Sequence, residues 1–266
     1  MRSSVIRKGI TAILVFGFLQ AKAQDTAAIL QQQIKLYPVL FHQTSAEYRA
    51  LCYQAFNTAR QQIDQIRKKR FRREKLAIVT DLDETILDNS YAEADLLQKR
   101  SVYTDSSWQR WVSAAAATEV PGSVAFLQYA KDKGAEIFYI SNRSLKETAA
   151  TIVNMQKLKL PDADTAHLLF YSTNSSKEER RQTVEKTHKI IMLLGDNLND
   201  FSLAFEKGDI ANRFAETDRV QTEWGKRFFV LPNVIYGEWE NALFNYDRKL
   251  TPVQKQQAMQ RLLKSY

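Results

Sequence analysis

Residues 76–85 read Leu76-Ala77-Ile78-Val79-Thr80-Asp81-Leu82-Asp83-Glu84-Thr85. A short unbroken apolar run of this kind predicts a strand buried on both faces, as in a parallel sheet, and it runs directly into acids. Similar runs occur at Ala135–Ile140, Leu168–Tyr171, Ile190–Leu194 and Phe228–Leu231, and between them Ser123–Lys133, Leu145–Leu158 and Lys177–Thr187 read as helices. Such alternation predicts a doubly wound α/β fold, a parallel sheet with helices on both faces. Ligands of these sheets bind beyond the carboxyl ends of the strands.

Four of the runs end in polar residues. The first is followed by Asp81 to Thr85, the second by Ser141-Asn142-Arg143, the third by Ser172 to Lys177 and the fourth by Gly195-Asp196-Asn197-Leu198-Asn199-Asp200. A lone DxD is common in turns. Four strand ends that together supply carboxylates, a hydroxyl, an amide and a lysine point to one shared site. Asp81, Asp83 and Asp196 concentrate negative charge, which calls for a cation, and an all-oxygen donor set selects Mg²⁺. One carboxylate can then attack phosphorus as a nucleophile, and a second, two residues on, can donate a proton to the leaving oxygen. Ser141 and Asn142 can donate hydrogen bonds to phosphate oxygens, and Lys177 can neutralise charge developing on them.

Outward from this core, residues 89–119 contain Trp108, Trp111 and the Ala114–Ala117 run and are long for a simple crossover, so they are expected to form a helical cap insertion. Upstream, Tyr48, Leu51, Ala55, Ala59 and Ile63 recur at helical spacing within Ala27–Arg70. Residues 1–23 carry Arg2, Arg7 and Lys8, an apolar run from Ile10 to Leu19, and Ala21-Lys22-Ala23, the pattern of a cleaved secretory signal. The run is about half of the roughly 20 residues that span a bilayer, so no integral span is expected in the mature chain. The division expected is 1–23 signal peptide, 24–70 helical segment belonging to the cap, 71–88 first core strand and nucleophile loop, 89–119 cap insertion, 120–250 core, and 251–266 C-terminal helix.

The chain has 266 residues, 38 Lys+Arg against 30 Asp+Glu and a formal charge of +8, with 44% hydrophobic residues. That composition excludes disorder and collagen-like repeats. Residues 1–23 hold four cations and no acid, so their removal lowers the charge to +4. The basic run Arg67 to Lys75 has no interleaved aromatic stacking pattern, so it reads as a solvated helix end and no nucleic-acid partner is expected. The single Cys52 excludes internal disulfides and multi-cysteine metal sites, and its expected role is core packing. An apolar face on the early helices suits a core or a partner equally, which leaves oligomeric state open.

The motifs resemble those of the haloacid dehalogenase (HAD) superfamily: a DxDxT loop, a Ser or Thr after the second strand, a Lys, and a GDxxxD-type loop. More closely, AIVTDLDETILDNSYA (77–92) and LLGDNLNDF (193–201) are similar to class C acid phosphatases and the related lipoprotein e(P4) group. So are SAEYRALCYQAFNTA (45–59), WQRWV (108–112), VPGSVAFL (120–127), FYISNR (138–143) and LPNVIYGEWE (231–240). The resemblance implies a secreted Mg²⁺-dependent phosphomonoesterase, often acting on nucleoside 5′-monophosphates, with a Rossmann-like core and a smaller helical domain. It matches Asp81 to the nucleophile and Asp83 to the general acid/base. The metal would be held by the Asp81 carboxylate, the Asp83 main-chain carbonyl and Asp196. Asp200 matches the second acid of its loop, and Asp200 and Thr85 are expected to stand behind the catalytic and metal-holding residues. Ser141, Asn142 and Lys177 match the phosphate-binding positions. Trp108 and Tyr236 stand where relatives offer aromatic faces to a substrate base; packing of cap against core is the other reading of both.

Three departures qualify the match: no proline separates Ser90 from Tyr91, Asn199 replaces a commoner Asp, and the signal lacks the cysteine of a lipoprotein. A periplasmic or secreted location follows. Two other readings use the same fold: a phosphotransferase or a phosphatase of sugar or cofactor phosphates, and a non-catalytic haem-binding or storage protein. Against the latter, His42, His167 and His188 lack haem-attachment spacing.

Overall fold

The computed structural model describes residues 34–68, 74–171 and 175–266. The expected signal peptide, residues 69–73 of the basic run and residues 172–174 after the third core run lie outside these.

Residues 34–44 form helix α1, followed by α2, Ala46–Lys68. Strand β1, Leu76–Thr80, is buried at every position, as its unbroken apolar run requires. The short strands β2, Leu87–Asp88, and β3, Thr118–Glu119, pair antiparallel. Between them lie α3, Ser90–Gln98, and α4, Asp105–Ala114. The cap helices therefore enter and leave through a two-stranded neck, which has no signature in the sequence because each strand is only two residues long. Then follow α5, Ser123–Asp132; β4, Ala135–Ser144; α6, Thr148–Lys157; β5, Leu168–Tyr171; α7, Glu178–Glu185; and β6, Lys189–Gly195. The chain closes with α8, Ile210–Arg219; β7, Phe228–Val230; α9, Glu238–Leu243; and α10, Pro252–Leu262.

The main sheet has five parallel strands in the order β5-β4-β1-β6-β7, the expected doubly wound arrangement. Its faces are sorted by strand alternation. Ile78 of β1 and Ile137 and Tyr139 of β4 pack towards α2 and α5, while Ala77, Val79, Phe138 and Ile140 pack on the other side with Val184 of α7, Phe201 and Phe205. Strand β6 breaks the alternation once. Ala77 pairs with Ile190 but Ile78 pairs with Met192, so Ile191 is an extra residue in a bulge. That bulge restores Leu193 to the α7 side and Leu194 to the α2 side, in register with β1, and it delivers Gly195 and Asp196 beside the end of β1.

Helix α2 departs from the expected division. Its buried residues Tyr48, Cys52, Phe56, Ala59 and Ile63 form one core with Ile78 and Ile137, so it packs on the sheet and not within the cap. The reason is area: a five-strand sheet whose central strands are fully buried needs a long apolar stripe on each face. Strand β4 runs to Ser144, four residues past its apolar run, because Ser144 pairs with Tyr171 beyond an irregularity after Ile140. Helix α10 begins at a capping box in which Thr251 and Gln254 bond reciprocally, and none of its residues is buried. Among the described residues no helix is long and apolar enough to cross a membrane.

Candidate active site

The loop after β1 is a tight crossing of the chain. The Leu82 carbonyl accepts from the amides of Ile86 at 2.9 Å and Leu87 at 2.8 Å, and Glu84 takes a left-handed conformation, φ 55°. The Asp81 amide still donates to the Leu194 carbonyl at 3.0 Å, so Asp81 is held at the rigid edge of the sheet. Two residues on, Asp83 is close enough for its charge to act on Asp81.

Lys177, the residue before α7, reaches under Asp81. Its Nζ lies 2.5 Å from Asp81 Oδ1 and 2.6 Å from Asp200 Oδ1. Burial opposes the lysine charge, but Asp200 and Asp81 outweigh it and raise its pKa. Carboxylate oxygens of Asp81, Asp196 and Asp200 all lie within 4.8 Å of one another. Burial pushes the Asp81 carboxyl well above its ordinary range, only partly offset by Lys177, and the charges of Asp200, Asp196 and Asp83 push the same way. Burial, then the neighbouring Asp200, takes Asp196 up to about 7 against hydrogen bonds from Asn233 and Thr85. Three carboxylates, Asp200 buried and Asp81 and Asp196 half-buried, with one ammonium are short of positive charge. A hard divalent cation with oxygen ligands fits that deficit and that donor set.

Asp196 is aimed from both sides: Thr85 Oγ1 donates to its Oδ1 at 3.0 Å and Asn233 Nδ2 to its Oδ2 at 2.8 Å. Asp200 accepts the Asn197 amide at 3.0 Å, and Arg181 of α7 donates to the Asp200 carbonyl at 2.9 Å, which ties α7 to the acidic loop.

Asp83 faces a different set of groups. Arg143 donates to it from Nη2 at 2.7 Å and from Nε at 3.1 Å to each oxygen. Asn89 Nδ2 donates to Oδ1 at 2.8 Å, and Ser141 Oγ lies 3.4 Å from Oδ2. Asn142 is exposed, and its carboxamide oxygen accepts from Arg180 Nη2 at 2.6 Å. The side chains of Ser141 and Asn142 thus diverge, one towards Asp83 and one towards α7.

Asp81, Asp83, Asn89, Ser141, Asn142, Arg143, Lys177, Asp196 and Asp200 open into one cleft of about 620 Å³, lined also by Lys35, Glu93, Tyr103, Trp108, Tyr236 and Arg248. Trp108 lies on the cap side, with Arg143 Cζ 5.4 Å from its ring centroid. Tyr236 also lines the cleft, with Lys35 Nζ 5.7 Å from its centroid. None of the three histidines lines the cleft: His42 is buried against Tyr48, and His167 and His188 both bond to Glu136.

Sequence reading missed Asn89, Arg143 and Asn233 as site residues. Arg143 was within reach of the argument, since it ends the second apolar run beside Ser141. Asn233 follows the last run, a fifth strand end carrying the signal used for the other four. Asn89 had none, because its position depends on the crossing of the loop.

The acid phosphatase family model of the HAD superfamily, subfamily IIIB, matches residues 15–239. Among solved structures, the class C acid phosphatase of Bacillus anthracis is 37% identical, with 89% of this chain and 99% of that chain covered and a TM-score of 0.83. A structure of the class C acid phosphatase of Bacillus anthracis with tungstate bound gives 36% identity, 89% and 98% coverage and the same TM-score of 0.83. The family model and the structural match run along nearly the whole chain: it belongs to the HAD subfamily IIIB acid phosphatases, close to class C, and is a phosphoric monoester hydrolase.

Proposed function

We propose that this enzyme hydrolyses nucleoside 5′-monophosphates through a phosphoryl-aspartate on Asp81, with Mg²⁺ as cofactor, outside the cytoplasm after loss of residues 1–23. The observation that carries the reading is the packing of Asp81 against Lys177 on the floor of a cleft whose rim holds Trp108 and Tyr236.

Asp81 attacks phosphorus while Asp83 gives a proton to the departing ester oxygen; Asp83 then takes a proton from the water that cleaves the phosphoryl-aspartate. Ser141 donates to a phosphate oxygen, as does Asn142 once released from Arg180, and Lys177 balances the charge that builds on them. Asp81, the Asp83 carbonyl and Asp196 would hold the cation, with Asp200 and Thr85 bracing them. Bound there, a divalent cation supplies positive charge to the phosphoryl group and offsets the buried carboxylates. Tungstate, which the Bacillus anthracis relative binds, is a tetrahedral oxyanion like phosphate. The cleft volume of about 620 Å³ suits a nucleotide, and base stacking on Trp108 and Tyr236 tolerates any base.

The test is phosphate release by the mature protein from AMP, other nucleotides, sugar phosphates and an aryl phosphate, with Mg²⁺ or chelator, alongside Asp81→Asn. Release with Mg²⁺, loss with chelator and in Asp81→Asn, and preference for nucleotides are expected. An active Asp81→Asn overturns the assigned nucleophile, and sugar phosphates turned over faster than nucleotides overturn the substrate class. Amino-terminal sequencing of the exported protein should begin at Gln24.

A further inference from the structure

We propose that cap helix α4 orients the Asp83 carboxylate through two side-chain arms, Trp111–Asn89 and Trp108–Arg143, which makes Trp111, Asn89 and Arg143 positioning residues for leaving-group protonation. This rests on the reading of Asp83 as the general acid.

In the first arm, Trp111 Nε1 donates to Asn89 Oδ1 at 2.8 Å, and Asn89 Nδ2 donates to Asp83 Oδ1 at 2.8 Å. An indole N–H only donates and a carboxylate only accepts. A primary amide accepts at one end and donates at the other, so both neighbours dictate which way Asn89 faces. In the second arm, the Arg143 side chain is 2% exposed and lies over the Trp108 ring. Its Nη1 donates to Thr151 Oγ1 at 2.9 Å, and that hydroxyl donates on to the Glu147 carbonyl at 2.8 Å. The guanidinium is therefore clamped at both ends, and its fork fixes the plane of the carboxylate. Trp108 and Trp111 are three residues apart on α4, hence neighbours on its surface.

The two arms load the carboxylate unequally. Oδ1 receives Asn89 at 2.8 Å and Arg143 Nη2 at 2.7 Å, whereas Oδ2 receives only the shared Arg143 Nε at 3.1 Å and the Ser141 hydroxyl at 3.4 Å. The geometry assigns Oδ2 as the oxygen that hands over the proton. In that step an Asp81 oxygen bonds to phosphorus, the ester P–O bond breaks, and the proton on Asp83 passes to the departing oxygen, so the alcohol leaves neutral. An arm removed lets the carboxylate turn away from the departing oxygen without moving Asp81.

The test uses leaving-group basicity. An alkoxide departing from a nucleoside 5′-phosphate needs the proton, and 4-nitrophenolate does not. Trp111→Phe keeps the ring and deletes the N–H; Arg143→Lys keeps the charge and loses the fork. For each, kcat/KM is measured on AMP and on 4-nitrophenyl phosphate, with Asp83→Asn as reference and melting temperature as a check on folding. The expected result is a fall of about tenfold, relative to wild type, in the ratio of AMP to 4-nitrophenyl phosphate. A purely structural role lowers both substrates together and leaves the ratio unchanged, which overturns the proposal. If Asp83→Asn itself leaves the ratio unchanged, the reading of Asp83 as general acid fails. If Asp83→Asn shifts it and both arm variants do not, the arms alone fail. Should Trp111→Phe not fold, Arg143→Lys and Asn89→Ala decide by the same ratio.

Discussion

Gly195 and Asp200 touch so closely that a Cβ on the glycine would overlap the aspartate's carboxylate and its own Cβ. The glycine is needed here for close approach and not for a positive φ, since it takes none. Asp200 folds back over the end of β6 to accept the Asn197 amide and to meet Lys177. Gly195→Ala must displace this carboxylate. Expected are a loss of about 1–3 kcal/mol in stability, from overpacking, and a loss of activity of at least tenfold, read by denaturant unfolding and phosphate release.

Lys177 pairs with both Asp81 and Asp200, with its side chain 8% exposed. Lys177→Met leaves the carboxylates buried and uncompensated. The apo protein should lose on the order of 3 kcal/mol. Because a divalent cation binds the folded state, saturating Mg²⁺ should recover part of that stability while activity stays low, a split visible by comparing melting temperature with turnover.

Glu136 joins the lower ends of three strands. His167 Nε2 and His188 Nε2 each lie 2.9 Å from one of its oxygens, and His167 Nδ1 lies 2.8 Å from Asp164. Burial disfavours the charged His167, but bonds to Asp164 and Glu136 prevail and raise its pKa; the bond from His167, followed by that from His188, lowers that of Glu136 against some burial. A raised histidine stabilises fully below its ordinary 6.5 and loses that stabilisation as pH rises through its folded pKa; a lowered carboxyl stabilises above its ordinary 4.5 and loses it as pH falls. The clasp is therefore strongest between about pH 4.5 and 6.5. Wild type should gain stability relative to His167→Gln on going from pH 8 to pH 5.5, by less than about 1 kcal/mol because Glu136 is partly solvated. Paired melting curves at the two pH values check this.

Tyr236 lines the cleft and makes no side-chain bond to Asp81, Asp83 or Lys177, so its ring is free to meet a substrate base. Tyr236→Ala should raise KM for AMP about tenfold, the worth of one stacked base, and change KM for a small alkyl phosphate little. Equal effects on both substrates would assign the ring to packing.

The sequence by itself determined the order of strands and helices, the two-faced burial of β1, and the identity of the acids that meet at the site. Those features are local: an apolar run of strand length and the polar residues that end it are read from neighbours in the chain. Tertiary structure decided what has no local signal. The bulge at Ile191 sets the register that brings Asp196 to Asp81. The sheet's need for cover places α2 on the core, although its sequence suits a cap equally. Asn89, Arg143 and Asn233 became site residues because loop crossing, β4 and β7 brought them within 3 Å of Asp83 or Asp196. Gly195 shows the same limit, since its necessity comes from a carboxylate five residues along that turns back on it. Chemistry at a strand end is written in residue types, but which oxygen each donor reaches depends on distances set by the packed fold.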